Sequence, residues 1–500
     1  MMRTLKVLFL LVLLLPGTGC KRITALFNGG RGYSEKFICH RNLSTAKGPS
    51  FFSPDGRHTA YLVRVHEKLA VVVDGKQEKA YDEYPTFGRY QGSVDEEYWF
   101  KLAFSPDSQR MAYAVESGDK SFAVVDGKEG LSYEYATVSL PTFSTDSRRV
   151  AYAVQAVDKE LLERQGISAK AGQKSFVVVD GNEGRPYDTV GSPIFSPDGS
   201  RLAYVAEVEK RWLLVVDGKE EGVPEGIEGQ LHFSPDGRRL AYIAHRDWKE
   251  FVVVDDKEEK SYERLGGSII FSPDSRHLAY NVLVGKKWHV VVDGVEGEPC
   301  AGVRDAIFSP DSRRLAYLAD VGGSEVVVVD GKEGRPYEEI GEGSLLFSQD
   351  SQHFAYAAKA GAKWFVVIDG KDGQPYDSVG TLVESPQGDS VGDLVFSPDG
   401  QRLGYVAKAG GKSLVVVDGK EGPSYDSACA PVFSPDSWHV AYWGRIGKDN
   451  WFTVADGREG RSYDSIPGPI VFDSAGEFHY LTARRIKDRF DVYLVEEMIY

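Results

Sequence analysis

The stretch Phe271–Gly294 reads FSPDSRHLAYNVLVGKKWHVVVDG, and close variants of it recur along the whole chain. Its Ser-Pro-Asp-Ser opening is turn chemistry. Proline presets φ at the second position, the aspartate can bond the backbone beside it, and serine or glycine closes the turn. Leu278-Ala279-Tyr280 and Trp288–Val292 are short runs rich in β-branched and aromatic residues, the composition of strands. Asp293-Gly294 accommodates positive φ and reads as a tight hairpin. The phenylalanines that open each copy fall at 52, 104, 143, 195, 233, 271, 308, 347, 396, 433 and 472. Most intervals are 37–39 residues, and three are longer because of inserts near 83–99, 155–173 and 378–392. Segments such as PIF (193–195), LAYVA (202–206), FVVVD (176–180) and PYDSV (375–379) supply four strands per copy, a four-stranded antiparallel meander.

The valine runs decide how the meanders pack. A sheet with one wet face alternates apolar and polar residues, whereas Val177–Val179 and Val252–Val254 are consecutive. Both faces of that strand must therefore be covered. Small meanders buried on both faces pack on one another as blades about an axis, which predicts an all-β fold, a β-propeller of about eleven four-stranded antiparallel blades. A β-solenoid, the alternative, does not need two hairpin turns in every repeat. FSPDGRRLAY (Phe233–Tyr242) and its copies resemble the TolB-like propeller repeat, a relative of tryptophan-aspartate repeats, over about residues 50–480. The resemblance implies the propeller fold and leaves function open, since propellers host many activities. Only a short segment precedes the first repeat, so no counterpart of the family's separate N-terminal domain is expected.

Eleven copies exceed the four to eight blades usual for one ring. Two tandem rings are expected, residues 51–266 holding repeats 1–5 and residues 267–500 holding repeats 6–11. The last copy is degenerate: Asp473 and Ala475 replace the serine and aspartate of the turn, and no DGKEG follows. Within the N-terminal segment 21–50, Tyr33–Asn42 (YSEKFICHRN) is the candidate strand to complete that last blade and close the assembly.

Residues 1–20 stand apart from the fold. Arg3 and Lys6 precede the apolar run Val7–Leu15, and small residues lead to Cys20, the layout of an export signal. It resembles a bacterial lipoprotein signal, which implies lipidation at Cys20; cleavage after Gly19 is the alternative. Either way the chain is expected in the periplasm or at the cell surface. If Cys20 carries lipid, the remaining Cys39, Cys300 and Cys429 cannot pair completely, and no disulfide framework is expected.

A net charge of −15 argues against a nucleic-acid backbone as partner, and against an anionic membrane held through a basic patch. Membrane contact is expected only through the lipid, and the chain is expected to be monomeric. The repeated aspartates Asp55, Asp107, Asp146, Asp198, Asp236, Asp274, Asp311, Asp350, Asp399 and Asp436 are each followed three residues later by a basic or imidazole residue. A feature in every full repeat reads as a structural ladder, each aspartate capping its own turn and pairing with that neighbour. The repeated tyrosines Tyr61 to Tyr442 read the same way, as packing between blades.

Binding surfaces on repeat proteins lie where the copies differ. The insert at 82–100 carries Tyr84, Phe87, Tyr90, Tyr98 and Trp99, the candidate binding surface for a protein or glycan, with packing of the insert onto the first blade as the alternative. The insert 158–173 has a short helical pattern. No Gly-x-Ser-x-Gly elbow, His-Glu-x-x-His or Cys-x-x-Cys occurs, so no catalytic residue, metal site or cofactor is assigned. The expected function is a non-enzymatic envelope scaffold that binds a protein or glycan. The alternative is a propeller enzyme, glycan-active or cofactor-dependent, with its site in the central channel.

Overall fold

In the computed structural model the described residues are 22–27, 31–42, 46–66, 68–82, 102–117, 120–156, 174–223, 225–380, 394–465 and 468–499. Among them every regular element is a β-strand. The strands form eleven antiparallel sheets, the four-stranded blades of a β-propeller. Blades 1 to 10 occupy residues 46–82, 102–134, 136–183, 189–222, 226–258, 264–296, 302–333, 339–372, 378–425 and 427–463 in chain order. In blades 3, 4, 8, 9 and 10 the first strand is interrupted and pairs with the second in two pieces.

Blade 11 draws on both ends of the chain. Its sheet order is Arg22–Phe27, Arg31–Asn42, Arg489–Ile499, Glu477–Ile486, Ile470–Phe472. Arg31–Asn42, which contains the candidate closing segment Tyr33–Asn42, runs antiparallel along the last strand from Arg31 opposite Ile499 to Asn42 opposite Arg489. A register shift falls between Phe37 and Cys39.

The chain divides into two compact units, Met1–Leu62 with Val72–Gln77 and Asp377–Tyr500, and Val63–Val71 with Glu78–Tyr376. Blades 9, 10 and 11 belong to the first and blades 2 to 8 to the second, while blade 1 contributes residues to both.

Blade 5 shows why the valines must be consecutive. Val252 and Val254 are buried in a cluster with Tyr262 at the outer edge of their own blade and with Leu265, Leu278 and Tyr280 of blade 6. Val253, between them, is buried with Ala203, Leu214 and Val216 of blade 4. Successive side chains leave a strand on opposite faces, so one run feeds two interfaces. Each full burial contributes about 1.5–3 kcal/mol. Tyrosines strengthen the same interfaces: Tyr187 meets Tyr204 of the next blade edge-on at 6.2 Å, as Tyr337 meets Tyr356 at 6.1 Å and Tyr425 meets Tyr442 at 6.3 Å.

Candidate functional site

The repeated turn is closed in the same way ten times. The serine that opens it donates Oγ–H to the aspartate Oδ1 at 2.5–2.6 Å. The backbone N–H two residues past the aspartate donates to the same oxygen at 3.0–3.2 Å. The fourth turn residue lies in the left-handed region, with φ of +61° to +75° in all ten copies, which glycine fills at no steric cost. Six copies use serine there instead. In five of them that serine's Oγ accepts the backbone N–H of the preceding blade's turn aspartate, as Ser275 does from Asp236 at 3.0 Å. In eight of the ten copies these bonds hold the turn carboxylate below the usual range. For Asp198, the hydroxyls of Ser196 and Ser200 and the Ser200 N–H bring it to about 2. A carboxylate so engaged stays ionised at neutral pH and does not serve as a general acid.

The basic residue three positions on has a different partner from the one expected. It pairs with the aspartate of the valine-run hairpin: Arg110 with Asp126, Arg201 with Asp217, Arg239 with Asp255, His277 with Asp293, and so through all ten copies at 2.6–3.8 Å. The hairpin aspartate also accepts the backbone N–H that follows the basic residue, at 2.8–3.2 Å. The reason is orientation. The turn aspartate points back into its own turn, while the basic side chain leaves the second strand beside the hairpin of strands three and four. Where it is arginine, it continues into the next blade. Arg239 Nη1 donates to the carbonyls of Ser275 and Arg276 at 3.1 Å, and its guanidinium lies 5.2 Å from the Phe271 ring.

A second clamp joins the blades at their fourth strands. Tyr187 and Arg185 reach Glu220 of the next blade at 2.7 and 2.8 Å, Tyr262 and Lys260 reach Glu296 at 3.0 and 2.6 Å, and Tyr337 and Arg335 both reach Asp372 at 2.6 Å. Blade 11 has no such fourth-strand acid of its own, and the N-terminal strand supplies one. Glu35, buried, accepts from Tyr463 Oη at 2.9 Å, Arg484 at 2.6 Å and Arg461 at 3.3 Å.

Blade 11 departs from the repeat at two more places. His479 stands where other copies have alanine or glycine. It is buried, with Nδ1 2.7 Å from Asp473 Oδ2 and Nε2 2.7 Å from the Asp55 carbonyl, while Arg57 meets Asp473 at 2.7 Å. Glu497, also buried, accepts from Thr453 Oγ1 at 2.8 Å and from Tyr480 Oη at 2.5 Å. The outlying residue types, His479 for alanine and Thr453 for valine, were the sequence signal for these contacts.

The tyrosines of the second strands are buried throughout, and burial pushes Tyr113, Tyr242 and Tyr442 up to about 12. They pack between blades and present no ring face to a ligand. Burial likewise pushes the Cys39 thiol up to about 11. Tyr84, Phe87, Tyr90, Tyr98, Trp99, Cys20 and the insert at 158–173 lie outside the described residues. Among the described residues no group of three His, Cys, Asp or Glu is placed to hold a metal ion, and no helix is long and apolar enough to cross a membrane.

Fold and interfaces together define a β-propeller whose recurrent polar groups join blade to blade. No protein-family model matches the chain, and no curated protein does. Among solved structures it is similar to TolB from Acinetobacter baumannii, at 15% identity and a TM-score of 0.24, over 58% of this chain and 79% of that one. It is also similar to the β-propeller domain of the Trilobed protease from Pyrococcus furiosus, at 17% identity and a TM-score of 0.28, over 54% and 96%. A third is an oligogalacturonate lyase in complex with manganese, at 15% identity and a TM-score of 0.28, over 62% and 96%.

Proposed function

We propose that the protein is an exported, envelope-associated β-propeller that acts by binding a protein or glycan and catalyses no reaction. The observation that supports this most is the use of the repeat's ionisable groups. The turn aspartates, the hairpin aspartates and the basic residues after each turn are bonded within and between blades, so the recurrent chemistry serves the fold. Recognition then falls to segments that differ between copies, foremost the aromatic insert with Tyr84, Phe87, Tyr90, Tyr98 and Trp99. Export rests on the Arg3–Leu15 layout, and anchoring on the lipid expected at Cys20.

The test is titration of the purified chain against glycan and peptide libraries, with and without a chelator. A saturable complex without turnover, lost when the five aromatic residues of the insert become alanine, is the expected result. Turnover abolished by the chelator would establish the propeller-enzyme reading instead.

A further inference from the structure

The joint between blade 11 and blade 1 has a histidine where other joints have an arginine. At four of those, one arginine ties its blade to the turn of the next. Arg110, Arg201, Arg239 and Arg402 each donate from Nη1 to two successive carbonyls of that turn, as Arg201 does to Gly237 and Arg238 at 3.4 and 2.7 Å. Blade 11 reads Gly476-Glu477-Phe478-His479-Tyr480 where blade 5 reads Gly237-Arg238-Arg239-Leu240-Ala241-Tyr242, so no arginine is placed for the task. His479 takes it over from within the strand. Its side chain is 1% exposed and lies against blade 1, with Nε2 2.7 Å from the carbonyl oxygen of Asp55 and Nδ1 2.7 Å from Asp473 Oδ2 of its own blade. Asp55, Arg57, Asp473 and His479 all belong to the first compact unit.

The partners of this ring fix its hydrogen count. A peptide carbonyl only accepts, so Nε2 must carry a hydrogen to donate to Asp55. An ionised carboxylate only accepts as well, so Nδ1 must carry one for Asp473. Arg57 Nη2 donates to the other Asp473 oxygen, Oδ1, at 2.7 Å, a pairing made with a carboxylate. Were the hydrogen on Asp473 Oδ2 and donated to Nδ1, the pair would hold the same number. Either way the His479–Asp473 pair carries one proton more than a neutral imidazole beside a carboxylate. The other charged groups about the ring are Glu477 on its own strand, Glu496 opposite it on the last strand, and Asp55, Arg57 and His58 of blade 1. Glu496 lies 3.8 Å from Arg57 Nη1 and accepts from Ser34 Oγ at 2.9 Å. The Asp55 carboxylate accepts from Ser53 and from the Arg57 N–H, and His58 pairs with Asp74 at 2.7 Å. Arg57 Nη2 is 3.4 Å from Nδ1, too long to compete with the 2.7 Å contact to Asp473.

We propose that His479 is a proton-operated latch: the joint between blade 11 and blade 1 closes around an imidazolium and loosens as pH rises. The sign follows from the proton count. A histidine released into water gives up its proton near pH ~6.5. Below that value the closed and open joints are both protonated, and closure does not depend on pH. Above it the closed joint holds one proton more than the open one, so each further rise weakens closure until the latch itself loses its proton. An arginine joint keeps its charge throughout this range. The joint that brings the last repeat to the first is therefore pH-sensitive where the arginine joints are not.

The test is amide hydrogen exchange of the full chain from pH 6 to pH 9, corrected for the intrinsic pH dependence of exchange, beside nitrogen-15 NMR of chain labelled at histidine. Protection over residues 55–58 should fall by up to about tenfold per pH unit above pH ~6.5. Protection over 236–239, the blade 5 turn held by Arg201, should stay level. At pH 7.5 one histidine, absent from the spectrum of His479→Gln, should still carry hydrogen on both ring nitrogens. His479→Gln should make the response of 55–58 flat, whereas His58→Gln, which removes the other imidazole of that turn, should leave the fall in place. A His479 ring with one protonated nitrogen at pH 7.5, level protection of 55–58 in the natural chain, or a fall that persists in His479→Gln would each overturn the proposal. Should His479→Gln not fold, the comparison of the two turns in the natural chain and in His58→Gln decides.

Discussion

The turn aspartates make acid stability a property of single residues. Eight of them, Asp107, Asp146, Asp198, Asp236, Asp274, Asp311, Asp399 and Asp436, have carboxyls held below the ordinary range by the opening serine and the following N–H. An unfolded aspartate titrates near about 3.9. Between that value and the lower folded one, the unfolded chain binds more protons, so the stability these groups contribute is present above the unfolded value and is lost as pH falls through the lower folded one. The thermal midpoint, followed by circular dichroism from pH 5 to pH 2, should fall steeply and together for all blades; a flat profile would show that the bonds contribute nothing. Cys39 offers a second reading at this scale. Its buried thiol, pushed up to about 11, should resist alkylation at pH 8 in the native state and react at once on unfolding, as mass spectrometry of the modified peptide would report.

At the scale of one element, the second strand carries the link between neighbours. Arg239→Ala removes bonds to Asp255, Ser275 and Arg276 and the contact with Phe271, and should cost about 1–2 kcal/mol in chemical denaturation. Arg239→Lys should recover only part of that, because an ammonium cannot hold the carboxylate and two carbonyls in one plane. The strands and turns around this arginine were legible from the text FSPDGRRLAY alone, since proline, Asp-Gly and the valine run each act on their own few residues. Its partner was not. Asp236 stands three residues away in sequence, yet the carboxylate it meets is Asp255, sixteen residues on, because the hairpin folds back to the second strand. The clamp from Tyr262 to Glu296 spans 34 residues and two blades, a distance over which no local pattern operates.

For the molecule as a whole, the exchange of chain ends in blade 11 concentrates risk in one short strand. Glu35 gathers Tyr463, Arg461 and Arg484, and Glu35→Ala should cost about 2–3 kcal/mol by leaving cations and a phenol without their acceptor. Deleting residues 31–42 should do more, since it also uncovers the edge of Arg489–Ile499. A fall in the thermal midpoint of more than about 5 °C is expected, and an unchanged midpoint would show that this pairing bears no load. Tyr33–Asn42 was legible as a candidate because the last copy lacks its final strand. Glu35 was not, because its partners lie 426 to 449 residues away. The aromatic insert stood out for the opposite reason, its difference from every other copy.

The hairpin aspartates carry one more implication. All ten sit in the left-handed region, with φ between 47° and 52°, and nine precede glycine. Among aspartyl dipeptides, aspartyl-glycine cyclises most readily to a succinimide and rearranges to isoaspartate, once the next nitrogen can reach the carboxyl carbon. Here both carboxyl oxygens are occupied, one by the arginine or histidine side chain and one by an N–H. Chemical ageing of the protein is thereby coupled to its opening, and isoaspartate accumulating in one hairpin would record how often that blade had let go.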